Sequence, residues 1–147
     1  MKIETVRERD VGDLLPMLVA YCDFYEVDPG EENLRAMALA LIERPDEGVQ
    51  LIARDQAGEP LGFASLFWTW QTLGAARVGV MNDLFVWPEH RGQGVGRALI
   101  EACAELARER GARWLGWDTA HDNATAQRLY DATGARRSEW VSYSLDL

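Results

Sequence analysis

The chain predicts an α/β fold: a mixed β-sheet with helices on both faces, in the order β-α-α-β-β-β-α-β-α-β. Segments with apolar residues at helical spacing alternate with short runs rich in β-branched and aromatic residues. One such run, Arg77 to Trp87, is nearly all apolar (Val78, Val80, Met81, Leu84, Phe85, Val86), so both its faces must be covered, as in the middle of an α/β sheet. Its 147 residues, 48% of them hydrophobic, suit one domain. No repeat or Pro/Gly/Ser-rich linker divides the chain, so 1–147 reads as one domain.

Lys2 to Arg7 alternates polar and apolar residues and predicts a first strand. Asp10 is placed to cap a helix carrying Val11, Leu14, Leu15, Leu18 and Val19 on one face. Asp28-Pro29-Gly30 breaks it, and a second helix runs from Glu31 to Arg44, with acids in its first turn and Pro45 beyond. Gly48 to Arg54 and Leu61 to Trp70 predict a hairpin across the turn Asp55 to Pro60, and Arg77 to Trp87 follows as its third strand. The clearest helix carries Val95, Leu99, Ala102, Cys103 and Leu106 on one face and ends at Gly111. A short strand, Trp114 to Asp118, a short helix, Asn123 to Thr133, and a closing strand, Ser138 to Leu147, complete the order.

Composition excludes several classes. The longest apolar run, Ala36 to Ile42, is far below the roughly 20 residues of a membrane span, and Met1-Lys2-Ile3-Glu4 lacks a signal-peptide core. Cys22 and Cys103 are too few for a metal cluster, and no metal is expected; a cytoplasmic location is the default reading. A net charge of -9 argues against nucleic acid as a partner. The charge is concentrated early: residues 1–60 hold fourteen acids against six Lys/Arg, five of those acids (Asp23, Glu26, Asp28, Glu31, Glu32) between Tyr21 and Glu32. Such a stretch is either a solvated loop or a surface that attracts cations.

The segment Arg91-Gly92-Gln93-Gly94-Val95-Gly96-Arg97 joins the buried strand to the amphipathic helix. Glycines there let a ligand approach the backbone, and the first free N–H groups of a helix point outward with the positive end of its dipole. That is a site for phosphate, with Arg91 and Arg97 placed to supply counter-charge. Gly96 is followed by Arg97-Ala98 rather than Lys-Ser/Thr, so this is no P-loop. The spacing G-x-G-x-G also differs from the dinucleotide fingerprint.

The pattern Arg91-x-x-Gly94-x-Gly96 resembles that of the GNAT superfamily of acetyl-CoA-dependent N-acetyltransferases. Asp83-Leu84-Phe85-Val86 with Pro88-Glu89 precedes the loop as it commonly does in that family. Asp122-Asn123-Ala124, Leu129-Tyr130 and Gly134-Ala135 look like the family's later cofactor motif. The resemblance implies a GNAT-like sheet, splayed between Arg77–Trp87 and Trp114–Asp118, and acetyl-CoA as co-substrate. By motif match the pyrophosphate would lie on the backbone of Gln93, Gly94, Val95, Gly96 and Arg97, with Arg91 and Gly92 opening the loop. The pantetheine arm would pair with the main chain of Leu84, Phe85 and Val86. Asn123 matches a frequent cofactor contact and is equally an N-cap.

Tyr130 matches the tyrosine that in the family lies near the cofactor's sulfur. A phenol is protonated at neutral pH and can donate to a leaving thiolate. The glutamate that often serves as base aligns with Asn82, which cannot take a proton. Asp83 is then a candidate if a bulge re-aims it, and a water held by Asn82 and main-chain carbonyls is the other. Cys103, mid-helix on the apolar face, reads as core, so transfer is expected to be direct, within a ternary complex.

In this fold the first two helices help build the acceptor site. That places Tyr21, Tyr25, Glu26 and Asp28 near the amine, with Trp68 and Trp70 as further candidates. A looser similarity to polyamine and diamine acetyltransferases points to a small cationic amine, polyamine- or amino-acid-like. An aminoglycoside, a protein lysine, or a non-catalytic acyl-CoA-binding sensor remain as alternatives. A homodimer through Ser138–Leu147 is a further expectation.

Overall fold

The computed structural model describes all of residues 1–147. Five strands form one sheet in sequence order: β1 (Lys2–Thr5), β2 (Gly48–Arg54), β3 (Pro60–Gln71), β4 (Ala76–Val86) and β5 (Leu115–Gly116). The first four pair antiparallel, whereas β5 runs parallel to β4 through only Gly79↔Leu115 and Val80↔Gly116. Four α-helices flank the sheet: α1 (Val11–Phe24), α2 (Glu31–Glu43), α3 (Val95–Glu109) and α4 (Ala124–Asp131).

Period-two alternation divides the strands between two cores. On one face α1 and α2 cover Ile52, Phe63 and Phe85 with Leu14, Met17, Leu18 and Ala38. On the other, α3 lays Val95, Leu99, Ile100, Cys103 and Ala107 over Leu51, Ala64, Leu66 and Met81. Burying each large aliphatic side chain contributes about 1.5–3 kcal/mol. The α1 end is tied to the sheet by a carboxylate: Asp10 Oδ2 accepts from Arg7 N–H and Oδ1 from Arg54, both at 2.9 Å.

Two features set the geometry of the site. Register shifts between β3 and β4: Ser65 faces Asp83 but Leu66 faces Met81, leaving Asn82 as a bulged extra residue. And because β5 meets β4 only at Gly79 and Val80, the β4 edge beyond them has no neighbouring strand.

The closing strand expected at Ser138–Leu147 is not formed. Residues 138–147 make no backbone hydrogen bonds and expose Trp140, Val141, Tyr143 and Leu145. The physical reason is the short β5, whose two residues offer almost no ladder for another strand. β5 is itself shorter than the expected Trp114–Asp118 because Trp117 and Asp118 turn away to line a cavity.

Candidate active site

The glycine loop folds as its composition requires. Gly92 and Gly94 take φ values of 74° and 83°, a left-handed conformation that favours glycine. Gly96 has another role: a Cβ there would stand 3.0 Å from Leu129 Cδ2, so its absence lets α4 pack close to the start of α3. Val95 is buried and anchors the helix end. Arg91 Nε donates to Val86 O at 3.0 Å and Gln93 Nε2 to Glu89 O at 3.1 Å, tying the loop back to its own strand. Arg97 pairs with Glu101 at 2.9 Å and so shares its charge along α3.

No protein group accepts from the backbone N–H groups of Gly92 through Arg97; the first helical bond is Ala98 N–H to Gly94 O. Six adjacent donors at the positive end of a 15-residue helix make a concavity whose chemistry suits an anion.

That concavity is one end of a cavity of about 960 Å³. The cavity continues through the gap between β4 and β5, past Asn82, Leu84, Phe85 and Val86 on one side and Trp117 to Ala120 on the other. It reaches Tyr21, Phe24, Tyr25 and Glu26 at the end of α1. A concavity of free amides, a channel along an open strand edge and a mouth of aromatic side chains with Glu26 thus share one space.

Tyr130 projects into this cavity from α4, its ring edge-on to Trp117 at 5.4 Å. Burial, and then the nearby Tyr25, hold its pKa above the ordinary phenol value, so it is a proton donor at neutral pH. Asn123 lines the cavity and caps α4, its Oδ1 accepting from Ala126 N–H at 3.1 Å. The Cys103 thiol is fully buried, and burial pushes its pKa up to about 12, so it is no nucleophile.

The bulge separates Asn82 from Asp83. Asn82 is exposed and lines the cavity. Asp83 stands opposite Ser65 on the sheet face beneath α1, outside the cavity lining. Burial raises the Asp83 pKa, while hydrogen bonds from Ser65, Tyr21 and Asn82 pull it part of the way back. The Asn82 Nδ2 donates to Asp83 Oδ1 at 3.1 Å.

Tyr21, Tyr25 and Glu26 are brought together at the mouth, and Tyr21 and Tyr25 pack edge to face at 5.2 Å. Glu26 has a left-handed backbone, φ 57°, held by Val27 N–H donating to Cys22 O. Asp28 is not with them, because its Oδ1 accepts from Gly30 N–H at 2.9 Å and closes the turn into α2. Trp68 and Trp70 are elsewhere as well. Trp68 is core, donating to Pro45 O at 3.2 Å beneath Arg110, and Trp70 lies exposed beside Arg77.

Sequence reasoning missed Trp117 as the partner of Tyr130, Phe24 at the mouth, and the buried pair Gln50 and Ser65. The last two carried a signal: each is a lone polar residue inside an apolar strand, Val49-Gln50-Leu51 and Ala64-Ser65-Leu66.

The model of the Acetyltransferase (GNAT) family matches residues 16–135. The chain is 32% identical to the uncharacterized N-acetyltransferase YhfO of Bacillus subtilis (strain 168), covering 100% of this chain and 98% of that protein. It is 28% identical to the thialysine N-epsilon-acetyltransferase of Mus musculus, over 99% and 92% of the two chains. Among solved structures, one described as a probable acetyltransferase superposes with a TM-score of 0.89 at 30% identity, over 100% and 98%. The chain belongs to the GNAT acetyltransferase family. It is an N-acetyltransferase, a class that draws its acyl group from acetyl-CoA.

Proposed function

We propose that the protein transfers the acetyl group of acetyl-CoA directly to a primary amine on a small cationic molecule. The observation that carries this reading is the continuity of the cavity, from the unpartnered amides of Gly92–Arg97 to the Tyr21, Tyr25 and Glu26 mouth. The diphosphate of the cofactor is assigned to those amides. The pantetheine arm is assigned to the open edge of β4 at Leu84, Phe85 and Val86, where its amides add to the sheet as a strand would. This directs the thioester toward Tyr130 and the acceptor toward the acidic end.

Chemistry then needs three proton movements. The acceptor ammonium must lose a proton before its nitrogen can attack the thioester carbonyl. Asp83 is the group assigned to receive it, with Asn82 beside it at the cavity wall. As the C–S bond breaks, Tyr130 donates its proton to the departing sulfur, and the proton lost by the newly acylated nitrogen restores the phenol. Direct transfer within a ternary complex is the route we assign, in keeping with the burial of Cys103 in the core. Aromatic faces and one carboxylate at the mouth favour a cation. Relatives named for thialysine and, in Stenotrophomonas maltophilia, for aminoglycosides support an amine-bearing small molecule.

Thiol release from acetyl-CoA across diamines, polyamines, amino acids, aminoglycosides and lysine peptides tests this reading. Release with a small cationic amine is expected. Coenzyme A binding without release on any acceptor would make the protein an acyl-CoA sensor instead.

A further inference from the structure

Among the four α-helices, α4 alone has no buried residue. Two adjacent side chains near its end hold it against the core that α3 covers. One is Leu129, whose Cδ2 occupies the space that a Cβ at Gly96 would need. The other is Tyr130, which has one aromatic neighbour, Trp117, with ring centroids 5.4 Å apart and planes at 67°. The Tyr130 backbone carbonyl accepts from Thr133 Oγ1 at 2.7 Å, but no protein group hydrogen-bonds its hydroxyl. A phenol with no polar partner is aimed by its ring alone, and the ring is aimed by what it packs on.

The place of Trp117 in the sheet suits it to this task. The parallel ladder between β4 and β5 has its last rung at Val80↔Gly116, and Trp117 is the first residue past it, where the strands part. Trp117 follows Leu115 by two residues, so strand alternation gives both the same face, and both pack with the core that α3 covers. The indole therefore rests on that core, and Tyr130 rests on the indole. Both rings line the cavity. We propose that Trp117 is a positioning residue for the transfer: by fixing the Tyr130 ring it keeps the hydroxyl aligned with the departing sulfur. This rests on the acetyltransferase reading, in which the Tyr130 O–H breaks as an S–H forms.

Alignment matters because a hydrogen bond weakens steeply as its angle falls below about 120°. The hydroxyl sits at the far end of the ring, where a small tilt moves it most. An edge-on aromatic contact favours one ring orientation over others, which an aliphatic neighbour does not. The arrangement also says where the effect appears. Trp117 acts on a group that works only as the C–S bond breaks, so its loss is felt in turnover and hardly in ground-state binding. An indole face that held the acceptor ammonium would act on the amine KM instead.

The test is a double-variant cycle of Trp117→Leu and Tyr130→Phe. It is read by steady-state kinetics with the fastest acceptor from the amine panel above, by coenzyme A calorimetry and by thermal circular dichroism. Trp117→Leu is expected to lower kcat about 10- to 100-fold, as misplacing a reacting group by about 1 Å would. Amine KM and coenzyme A affinity are expected to change little. Trp117→Phe, which keeps an aromatic ring, is expected to recover much of the lost kcat. In the Tyr130→Phe background Trp117→Leu is expected to cost nothing further, because the group it positions is gone. The phenylalanine ring still packs there, so a general loosening of α4 would still be felt. Should Trp117→Leu fail to fold, Trp117→Met, unbranched and adaptable, takes its place. Wild-type kcat in Trp117→Leu, losses that multiply in the double variant, or an effect confined to amine KM would overturn the positioning role alone. Wild-type turnover in Tyr130→Phe would overturn it together with the proton-donor role of Tyr130. A wild type that acetylates no amine would overturn both together with the acetyltransferase reading.

Discussion

The Asn82 amide donates to the Asp83 carboxylate at 3.1 Å across a β-bulge, so adjacent residues of one strand serve different surroundings. Asn82 lies at the cavity wall and Asp83 under α1. Without the extra residue the β3–β4 register would not slip, and Asp83 would not stand opposite Ser65 while Met81 stands opposite Leu66. The bulge gives the site a half-buried carboxylate hydrogen-bonded to an amide at the cavity wall.

That burial makes Asp83 a pH-sensitive element of stability. Its folded pKa is raised above the ordinary value, so the native state holds a proton that the unfolded chain has already released. The associated stability is present below the ordinary carboxyl pKa and is lost as pH rises through the folded value. Urea unfolding from about pH 4 upward is expected to show this decline in the wild type and a flatter profile in Asp83→Asn.

Tyr130→Phe removes the proton donor but not the ring that packs on Trp117. Turnover is expected to fall about 10²–10⁴-fold, with coenzyme A affinity nearly unchanged. Stopped-flow thiol release with parallel calorimetry checks both halves. An unaltered rate would remove Tyr130 from the chemistry.

Gly94 and Gly96 are expected to respond differently to alanine. At Gly94, φ is 83° and nothing lies within 4 Å of a new Cβ, so the cost is backbone strain of about 1–2 kcal/mol. Expressed in the bound loop, that raises the acetyl-CoA Kd about tenfold. At Gly96, which has no positive φ, an added methyl would stand 3.0 Å from Leu129 Cδ2 and 3.7 Å from Val86 Cγ2, so the end of the Leu129 side chain must shift by a few tenths of an ångström to admit it. Calorimetry on the two variants is expected to show a large effect at Gly94 and a small one at Gly96.

Glu26 sits at the mouth in a left-handed backbone conformation, φ 57°. Glu26→Gln is expected to raise KM for a diamine about five- to tenfold with kcat kept, as loss of about 1 kcal/mol of charge pairing would. The same KM measured at high salt is expected to rise in the wild type and hardly change in the variant.

Much of this was legible in the sequence because periodicity and glycine spacing are local properties. The α3 face of Val95, Leu99 and Cys103, the buried strand Arg77–Trp87 and the loop Gly92–Gly96 each announce themselves within one window. Partnership across the sheet is not local. Ser138–Leu147 alternates as a strand does, but whether it pairs depends on β5, whose two-residue length reflects the departure of Trp117 toward the cavity. Asp28 looked like Glu26 by charge and position; a single hydrogen bond to Gly30 N–H separates them. Likewise the Gln50–Ser65–Asp83 row exists only once three strands are in register.

The unpartnered amides that open α3 are the groups to which the diphosphate of the cofactor is assigned. Backbone ¹⁵N–¹H spectra recorded during titration with coenzyme A test this most directly. Saturating shifts confined chiefly to Gly92–Arg97 and the β4 edge at Leu84–Val86 are the predicted result. Binding that leaves the Gly92–Arg97 amides unmoved while other residues shift would contradict it.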